Sequence, residues 1–336
     1  MKKASLFILT LVLVFGLVLQ GCSSTTNEGN NSGNDNGQSS GDYPERDITI
    51  VLGWGAGGGT DSFSRAIAKP LSDNLGVNVN VVNKPGASGS IAADYVSKQP
   101  ADGYTFWAMT TQYPINLAYG KASHKLSEFK PIARVQNDVM TLQVKGGSKY
   151  QDIDKLVQAA KDNPGDISIG GSGSTGLYAS NVKFLEDAIG ADINYVPYSD
   201  AGEMHAALLG GHIDAQVEEI GPNISQIKKG KIDVSLVFAK ERLEDYPDVP
   251  TTVEEGWDLT AGMGRGLMVK KGTPDKVVKA IQKAVKEAQE DEGYLEYEKN
   301  NLLDLREGWL DSEGFGKLLN DMLGTYKDLA KEESSH

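Results

Sequence analysis

Two glycine-rich segments of this sequence have the composition of anion-binding loops. One covers residues 53–61, Gly-Trp-Gly-Ala-Gly-Gly-Gly-Thr-Asp, and the other covers residues 170–176, Gly-Gly-Ser-Gly-Ser-Thr-Gly. Each follows a strand-like apolar run and precedes a helical pattern. Such loops expose backbone N–H groups, and the helix behind them adds the partial positive charge of its N-terminus. If the two loops face one another, they suit a ligand with an anionic group at each end.

The first segment alone leaves other interpretations open. Gly53, Gly55 and Gly58 fit the G-x-G-x-x-G spacing of dinucleotide-binding loops. However, the next strand ends in Asn83 and Lys84, where a ribose-binding site would need an acidic residue. A phosphate P-loop would end in Gly-Lys-Ser or Gly-Lys-Thr, which this segment lacks. A glycine turn without a ligand also fits the first segment, but the hydroxyl groups of the second segment favour a ligand.

Polar side chains at the ends of predicted strands extend the site, because parallel strands present ligand groups at their carboxyl ends. Asp61 either orients the first loop or caps a helix. Glu218 and Glu219 either meet a ligand hydroxyl or amine or form a solvated pair. Arg265 either supplies a counter-charge to the ligand or is a surface residue, and the surface interpretation is favoured. The predicted ligand-binding residues are Trp54, Gly57, Gly58, Gly59, Thr60, Asp61, Ser88, Thr110, Thr111, Gln112, Ser172, Gly173, Ser174, Thr175, Tyr198, Ser199, Asp200 and Glu218.

The sequence contains little that is typical of an enzyme. No serine stands in G-x-S-x-G, so a nucleophile elbow is missing. The histidines are His124, His205, His212 and His336, and they form neither H-E-x-x-H nor a cluster with cysteine. We therefore predict no enzymatic activity, no metal site and no cofactor. An exported hydrolase is kept as an alternative class.

The N-terminal region has the features of an export signal. Two lysines precede an apolar stretch over residues 6–19, and the signal ends at Cys22, the only cysteine of the chain. This ending resembles the lipobox of bacterial lipoproteins. Residues 1–21 are predicted to be a lipoprotein signal peptide, and residues 22–42 a disordered tether with an acylated Cys22. A retained transmembrane helix and a plain secretory signal are the alternatives.

Length and charge limit the classes of partner. A chain of 336 residues exceeds one ordinary hydrophobic core, so two domains are expected. The 33 basic and 46 acidic residues give a net charge of −13, which argues against nucleic acid and anionic lipid surfaces as partners. A small anion is still compatible with this charge, because salt screens distant charges beyond about 8–10 Å.

The body of the chain repeats one local pattern of strand, glycine loop, helix and strand. Gly76 and Gly190 stand where the helices of the two repeats should end. This alternation is typical of parallel sheets, so we predict an α/β fold with a sheet in each half. The elements of the two repeats are strands 48–52, 77–82, 167–169 and 193–196 and helices 62–74 and 177–189.

Several short motifs follow one another along the body. They are Gly57-Gly58-Gly59-Thr60-Asp61, Arg65, Val81-Val82-Asn83-Lys84-Pro85-Gly86-Ala87-Ser88-Gly89, Asp102-Gly103-Tyr104-Thr105, Gly171-Ser172-Gly173-Ser174, Val196-Pro197-Tyr198, Leu209-Gly210-Gly211-His212-Ile213-Asp214 and Lys271-Gly272-Thr273-Pro274. This ordered set resembles the substrate-binding proteins of tripartite tricarboxylate transporters, the Bug family. In two places the sequence departs from the family pattern: three glycines after Ala56 replace a proline and a glycine pair, and Leu177 and Tyr178 stand near the place of a histidine.

The resemblance implies a two-lobed type II periplasmic-binding-protein fold with a ligand cleft between the lobes. Each lobe should contain a mostly parallel sheet flanked by helices. Lobe 1 is predicted to comprise residues 43–131 and 240–336, and lobe 2 residues 132–239. The implied function is capture of a small carboxylate, such as a di- or tricarboxylate or a related organic acid, between the two glycine loops.

The same resemblance implies delivery of the ligand to the large and small membrane subunits of a transporter. The protein is expected to be an extracytoplasmic monomer, anchored by lipid to the outer face of the cytoplasmic membrane. Its contact with the membrane is expected to run only through this anchor, and nucleic acid is not an expected partner. A ligand-sensing subunit of a signalling receptor is the alternative to transport.

Overall fold

The computed structural model describes residues 43–333. The predicted signal peptide over residues 1–21, the tether over residues 22–42 and Cys22 lie outside the described residues. Among the helices that are described, none is both long enough and apolar enough to cross a membrane.

Strands and helices alternate along much of residues 43–333, but β4 is followed by β5, β9 by β10, and the last three helices follow one another. The strands are β1 Ile48–Leu52, β2 Val79–Asn83, β3 Thr105–Thr110, β4 Phe129–Asn137, β5 Met140–Lys145, β6 Ser168–Ser172, β7 Asn194–Tyr198, β8 Ala215–Glu219, β9 Ile232–Val237 and β10 Gly264–Lys270. The α helices are α1 Gly59–Leu75, α2 Ser90–Ser97, α3 Gln112–Ala118, α4 Ile153–Asp162, α5 Leu177–Ile189, α6 Ala201–Gly210, α7 Ile220–Lys228, α8 Asp275–Gln289, α9 Glu292–Asn300 and α10 Ser312–Glu333.

The strands form two sheets with the same plan. The first has the order β2-β1-β3-β10-β4, and the second has the order β7-β6-β8-β5-β9. In the first sheet β10 is antiparallel to both β3 and β4, so β4 runs in the direction of β1, β2 and β3. In the second sheet β5 is antiparallel to both β8 and β9. Each sheet thus has a single reversed strand, which confirms the predicted α/β fold with two mostly parallel sheets.

The chain passes between the sheets at positions that differ from the predicted boundaries. The predicted change after Pro131 falls inside β4, which stays in the first sheet to Asn137 because its apolar residues are buried there. The predicted return after Ala239 is also too early. Leu243 and Ala261 pack into clusters built on the second sheet, and the chain rejoins the first sheet at β10.

Local sequence explains the elements that flank the site. Most of β1 is fully buried, as expected of a strand covered on both faces of its sheet. Phe63, Ile67 and Leu71 form a buried face of α1 at four-residue spacing. Gly76 ends this helix in the left-handed conformation with φ 69°, and Gly190 ends α5 in the same way with φ 67°. Both glycine caps were predicted.

Candidate functional site

Asp61 holds the first glycine loop, which connects β1 to α1. Its carboxylate accepts hydrogen bonds from the Gly57 N–H at 3.0 Å and from Nδ2 of Asn83 at 2.9 Å, and it forms an ion pair with Arg65 at 2.9 Å. Burial opposes ionisation of Asp61, but the hydrogen bonds from Arg65, Gly57 and Asn83 outweigh burial and lower its pKa. The N-cap of α1 is Gly58. Asp61 therefore orients the first loop and does not serve as the N-cap of α1.

The second glycine loop, which connects β6 to α5, packs against neighbouring elements. The Gly173 N–H donates to the carbonyl of Tyr198 at 2.8 Å, and the hydroxyl of Tyr195 donates to the Gly173 carbonyl at 2.5 Å. Gly176 has a φ of 99°, and a Cβ there would lie 2.8 Å from Cγ of Gln112 in α3. The loop is therefore occupied by contacts within the protein.

A cavity lies between the two sheets and has about 500 Å³ of empty space, part of it open to solvent. The first sheet contributes the loop after β1, the start of α1, the end of β3 and part of β10. The second sheet contributes the ends of β6 and β8 and the start of α6. The lining residues are Trp54, Gly55, Ala56, Gly58, Gly59, Thr60, Thr110, Gln112, Ser172, Tyr178, Ser199, Asp200, Ala201, Glu218, Met263 and Arg265.

The structure brings many of the predicted site residues to this cavity. These residues are Trp54, Gly58, Gly59, Thr60, Thr110, Gln112, Ser172, Ser199, Asp200 and Glu218. The starts of α1, α3, α5 and α6 all reach the lining, through Gly59, Gln112, Tyr178 and Ala201, but of the second glycine loop, which the sequence predicted to face the ligand, only Ser172 lines the cavity. The difference has a physical reason, because the second glycine loop is held by Tyr195 and Tyr198 and packs on α3.

Other predicted residues lie outside the cavity lining. Gly57 and Asp61 bind each other, Gly173 bonds to β7, and Ser174 is exposed. Thr111 is buried, and its hydroxyl accepts from the Gly264 N–H at 3.0 Å. Thr175 reaches Asn116 in α3 at 3.4 Å, and Tyr198 pairs with Ser172 inside the second sheet. The side chain of Ser88 lies outside the described part of the chain.

Six residues of the lining are not among the predicted ligand-binding residues: Gly55 and Ala56 of the first loop, Ala201 at the start of α6, and Tyr178, Met263 and Arg265. Arg265 is only 2% exposed, so the surface interpretation is wrong. A signal for it was available, since Arg265 stands alone in an apolar strand, and a buried charge requires a partner. For Tyr178 and Met263 we find no comparable pattern, because their positions depend on how the sheets pack.

Arg265 connects the two sheets through a buried ionic network. Its Nη1 donates to Asp138, which lies between β4 and β5, and its Nη2 donates to Glu219 at the end of β8 at 2.7 Å. Its Nε donates to the hydroxyl of Thr60 at 3.3 Å. Burial opposes the charge of Arg265, but the carboxylates of Asp138 and Glu219 outweigh burial and raise its pKa. All three guanidinium nitrogens therefore already have protein partners.

Two adjacent glutamates at the end of β8 have different roles. Glu219 does not line the cavity, and burial together with the charge of Glu218 raises its pKa to about 8 despite Arg265. Glu218 lines the cavity and is 2% exposed. Its Oε1 lies 3.2 Å from the Tyr178 hydroxyl, which is also 3.0 Å from Oε2 of Glu219, and its Oε2 lies 3.3 Å from Nε2 of His205. Burial lowers the pKa of His205, although the charges of Glu219 and Asp200 oppose this.

Gln112 is the most unusual polar group of the lining. It begins α3, its exposure is 0%, and neither the nitrogen nor the oxygen of its side-chain amide has a hydrogen-bond partner among the described residues. A buried amide without partners costs free energy, so such a group in a cavity wall indicates a place where a ligand completes the bonding. Within residues 43–333, no group of three or more His, Cys, Asp and Glu side chains could hold a metal ion.

Comparison with known proteins gives a consistent result. A family model described as the tripartite tricarboxylate transporter family receptor matches residues 63–334. Protein BugT of Bordetella pertussis is 27% identical, with 76% of this chain and 79% of that protein covered. A UPF0065 protein in the TAR-I ttuE-ttuC' intergenic region of Agrobacterium vitis is 30% identical, with 77% and 76% covered. The solved structure of the periplasmic binding protein BugD is 26% identical with a TM-score of 0.78, and the match covers 86% of this chain and 98% of that chain.

Proposed function

The chain belongs to the tripartite tricarboxylate transporter receptor family. We therefore propose that it captures a small carboxylate in the cavity between its sheets. This ligand is a di- or tricarboxylate or a related organic acid. It then delivers this ligand to the large and small membrane subunits of a transporter. The observation that carries the proposal is the unpartnered amide of Gln112 in a cavity wall that also contains the start of α1.

The start of α1 is suited to a carboxylate. The first N–H groups of an α helix lack partners within the helix, and the helix dipole adds positive potential there. Gly58, Gly59 and Thr60 expose this end of α1 to the cavity, and Gln112 and the hydroxyl of Thr110 lie in the same lining. In our proposal these groups bind the carboxylate, so no basic side chain is needed.

Contacts between the two sheets support binding by closure of the lobes. Arg265 of the first sheet binds Glu219 of the second, and the carboxylate of Asp200 lies against the first loop, where a Cβ at Gly55 would be 2.4 Å from its Oδ2. In our proposal these contacts form as the lobes close around the ligand, and the transporter recognises the closed form. The mature protein acts as a monomer outside the cytoplasmic membrane, held by a lipid on Cys22.

Calorimetry on the mature chain tests the proposal, with a panel of di- and tricarboxylates, amino acids, aromatic acids, sugars and divalent metal ions. At least one carboxylate should bind, and at a hundred times its Kd it should stabilise the protein by about 2.7 kcal/mol. Binding of a sugar or a metal ion without any carboxylate would overturn the proposal.

A pair of variants locates the site. Gln112→Met removes both hydrogen-bonding atoms at similar size and should weaken carboxylate binding about tenfold or more. Gln216→Met is the matched control, because Gln216 is equally buried, donates to Gln143 at 2.9 Å and does not line the cavity. Gln216→Met should change stability and leave the affinity of the folded protein unchanged.

A further inference from the structure

The charges of the cavity wall are unevenly distributed. Arg265 is the one basic residue of the described lining, and its three nitrogens bind Asp138, Glu219 and Thr60. A ligand carboxylate therefore meets backbone N–H groups and the Gln112 amide, as proposed above. No lining cation is left for a second ligand carboxylate at the opposite wall.

The opposite wall, formed by the second sheet, carries a buried carboxylate without a cationic partner. Glu218 accepts from the Glu219 N–H at 3.0 Å, and it shares the single proton of the Tyr178 hydroxyl with Glu219, whose Oε2 is nearer to that hydroxyl. Among the described residues, His205 is the one basic side chain within ion-pair distance of Glu218, and burial favours its neutral form. Removing an unpaired carboxylate from water is costly, so Glu218 is placed to gain a cation from a ligand.

Asp200 adds a second carboxylate to the same wall. Its Oδ1 accepts from the Gly202 N–H at 2.8 Å and caps α6. Its Oδ2 faces the first loop at the position of Gly55. A ligand with two carboxylates would bring its second negative charge toward both Glu218 and Asp200, and like charges at short range oppose binding.

We propose that the ligand carries a cationic nitrogen as well as its carboxylate, and that Glu218 selects this class of ligand. The inference rests on the proposed function. The carboxylate lies at the start of α1 beside Gln112, whose unpartnered amide is an independent indication of a ligand, and the ammonium group lies against Glu218 with Asp200 nearby. Glu218 is thus a specificity-determining residue that distinguishes amino acids from dicarboxylates of equal length.

Matched ligand pairs test the inference by calorimetry. The pairs are 4-aminobutanoate and succinate, 5-aminopentanoate and glutarate, and 4-(aminomethyl)benzoate and terephthalate, in which a CH2NH3⁺ group replaces a carboxylate at nearly constant length. For at least one pair the amino acid should bind at least tenfold more tightly than its dicarboxylate. If dicarboxylates bind more tightly in every pair, the inference fails while the proposed function stands. If neither these ligands nor any other carboxylate binds, both fail.

Two variants of adjacent residues test the role of Glu218. Glu218→Gln keeps an acceptor for Tyr178 and removes the charge, so the amino acid should lose at least tenfold in affinity and the dicarboxylate should gain. Glu219→Gln changes the same network outside the lining and should keep the ratio of the two affinities within about twofold of the parent's. An unchanged ratio in Glu218→Gln, or an equal change in both variants, would overturn the assignment of specificity to Glu218.

Discussion

Replacement of Gly59 by alanine tests whether the network around Arg265 is rigid. A Cβ at Gly59 would lie 2.3 Å from Nη2 of Arg265 and 2.9 Å from its Cζ. Because non-bonded heavy atoms pack best at about 3.5–4.0 Å, the guanidinium or the start of α1 would have to move by roughly 1 Å. Arg265 cannot yield as an exposed arginine would, since Asp138 and Glu219 hold its terminal nitrogens.

Two effects of opposite sign determine the expected stability of Gly59→Ala. Alanine is favoured over glycine in a helix by about 1 kcal/mol, so propensity alone predicts a more stable protein. Forcing a methyl group into a packed site costs about 1–3 kcal/mol, and losing one partner of a buried ion pair costs about 3–5 kcal/mol. We therefore expect the free energy of unfolding to fall by about 1–3 kcal/mol.

Urea unfolding followed by circular dichroism measures this change, with Gly58→Ala as the control. A Cβ at Gly58 would meet only the Gly55 carbonyl oxygen, at 3.9 Å, and the φ of Gly58 is −80°. The free energy of unfolding of the Gly58→Ala protein should therefore stay within about 1 kcal/mol of the parent's. In an Arg265→Met background the cost of Gly59→Ala should disappear. A Gly59→Ala protein as stable as Gly58→Ala would refute the rigid network.

Three further predictions concern the same contacts. Gly55→Ala places a methyl group against Asp200. Titration calorimetry should therefore show that ligand affinity falls about tenfold or more, while stability changes little. An unchanged affinity would contradict closure of the lobes at this contact. Arg265→Met leaves Asp138 and Glu219 without their cation, so urea unfolding should show a loss of about 3–5 kcal/mol, and a loss under 1 kcal/mol would contradict the network. The pKa of Glu219 is raised to about 8, so its contribution to stability is present at low pH and falls as the pH rises from about 4.5 to 8. The melting temperature of Glu219→Gln should therefore rise relative to that of the parent as the pH increases from 5 to 8. A difference in melting temperature that does not change with pH would contradict the raised pKa.

The fold was predictable where the signal is local. Helix α1 shows its buried face at regular spacing, and Gly76 and Gly190 mark two helix ends. The strands β4, β5 and β10 were not predicted, because their pairing joins distant parts of the chain. Strand β4 also contains Arg134, whose side chain donates to the carbonyls of Glu307 and Gly308 instead of to solvent. A charge satisfied by residues so far away in sequence gives no local indication of a strand.

The candidate site was predictable in its first half and in part of its second, where the predicted residues Ser172, Ser199, Asp200 and Glu218 line the cavity. The loop after β1 and the start of α1 follow from glycine content and helix position, and both line the cavity. In the second half, Tyr195 and Tyr198 bind Gly173, and of the second glycine loop only Ser172 lines the cavity. Those contacts are made through a hydroxyl and a backbone carbonyl, so residue type alone does not reveal them.

The net charge of −13 does not describe the surface that a ligand meets. Arg265 is held by Asp138 and Glu219, and burial raises the pKa of Glu219 to about 8. The charge of Arg265 is therefore engaged within the protein, and the polarity of the cavity depends on the start of α1 at one wall and on Glu218 and Asp200 at the other. A positive potential at one wall and negative charge at the other favour a ligand that carries both charges.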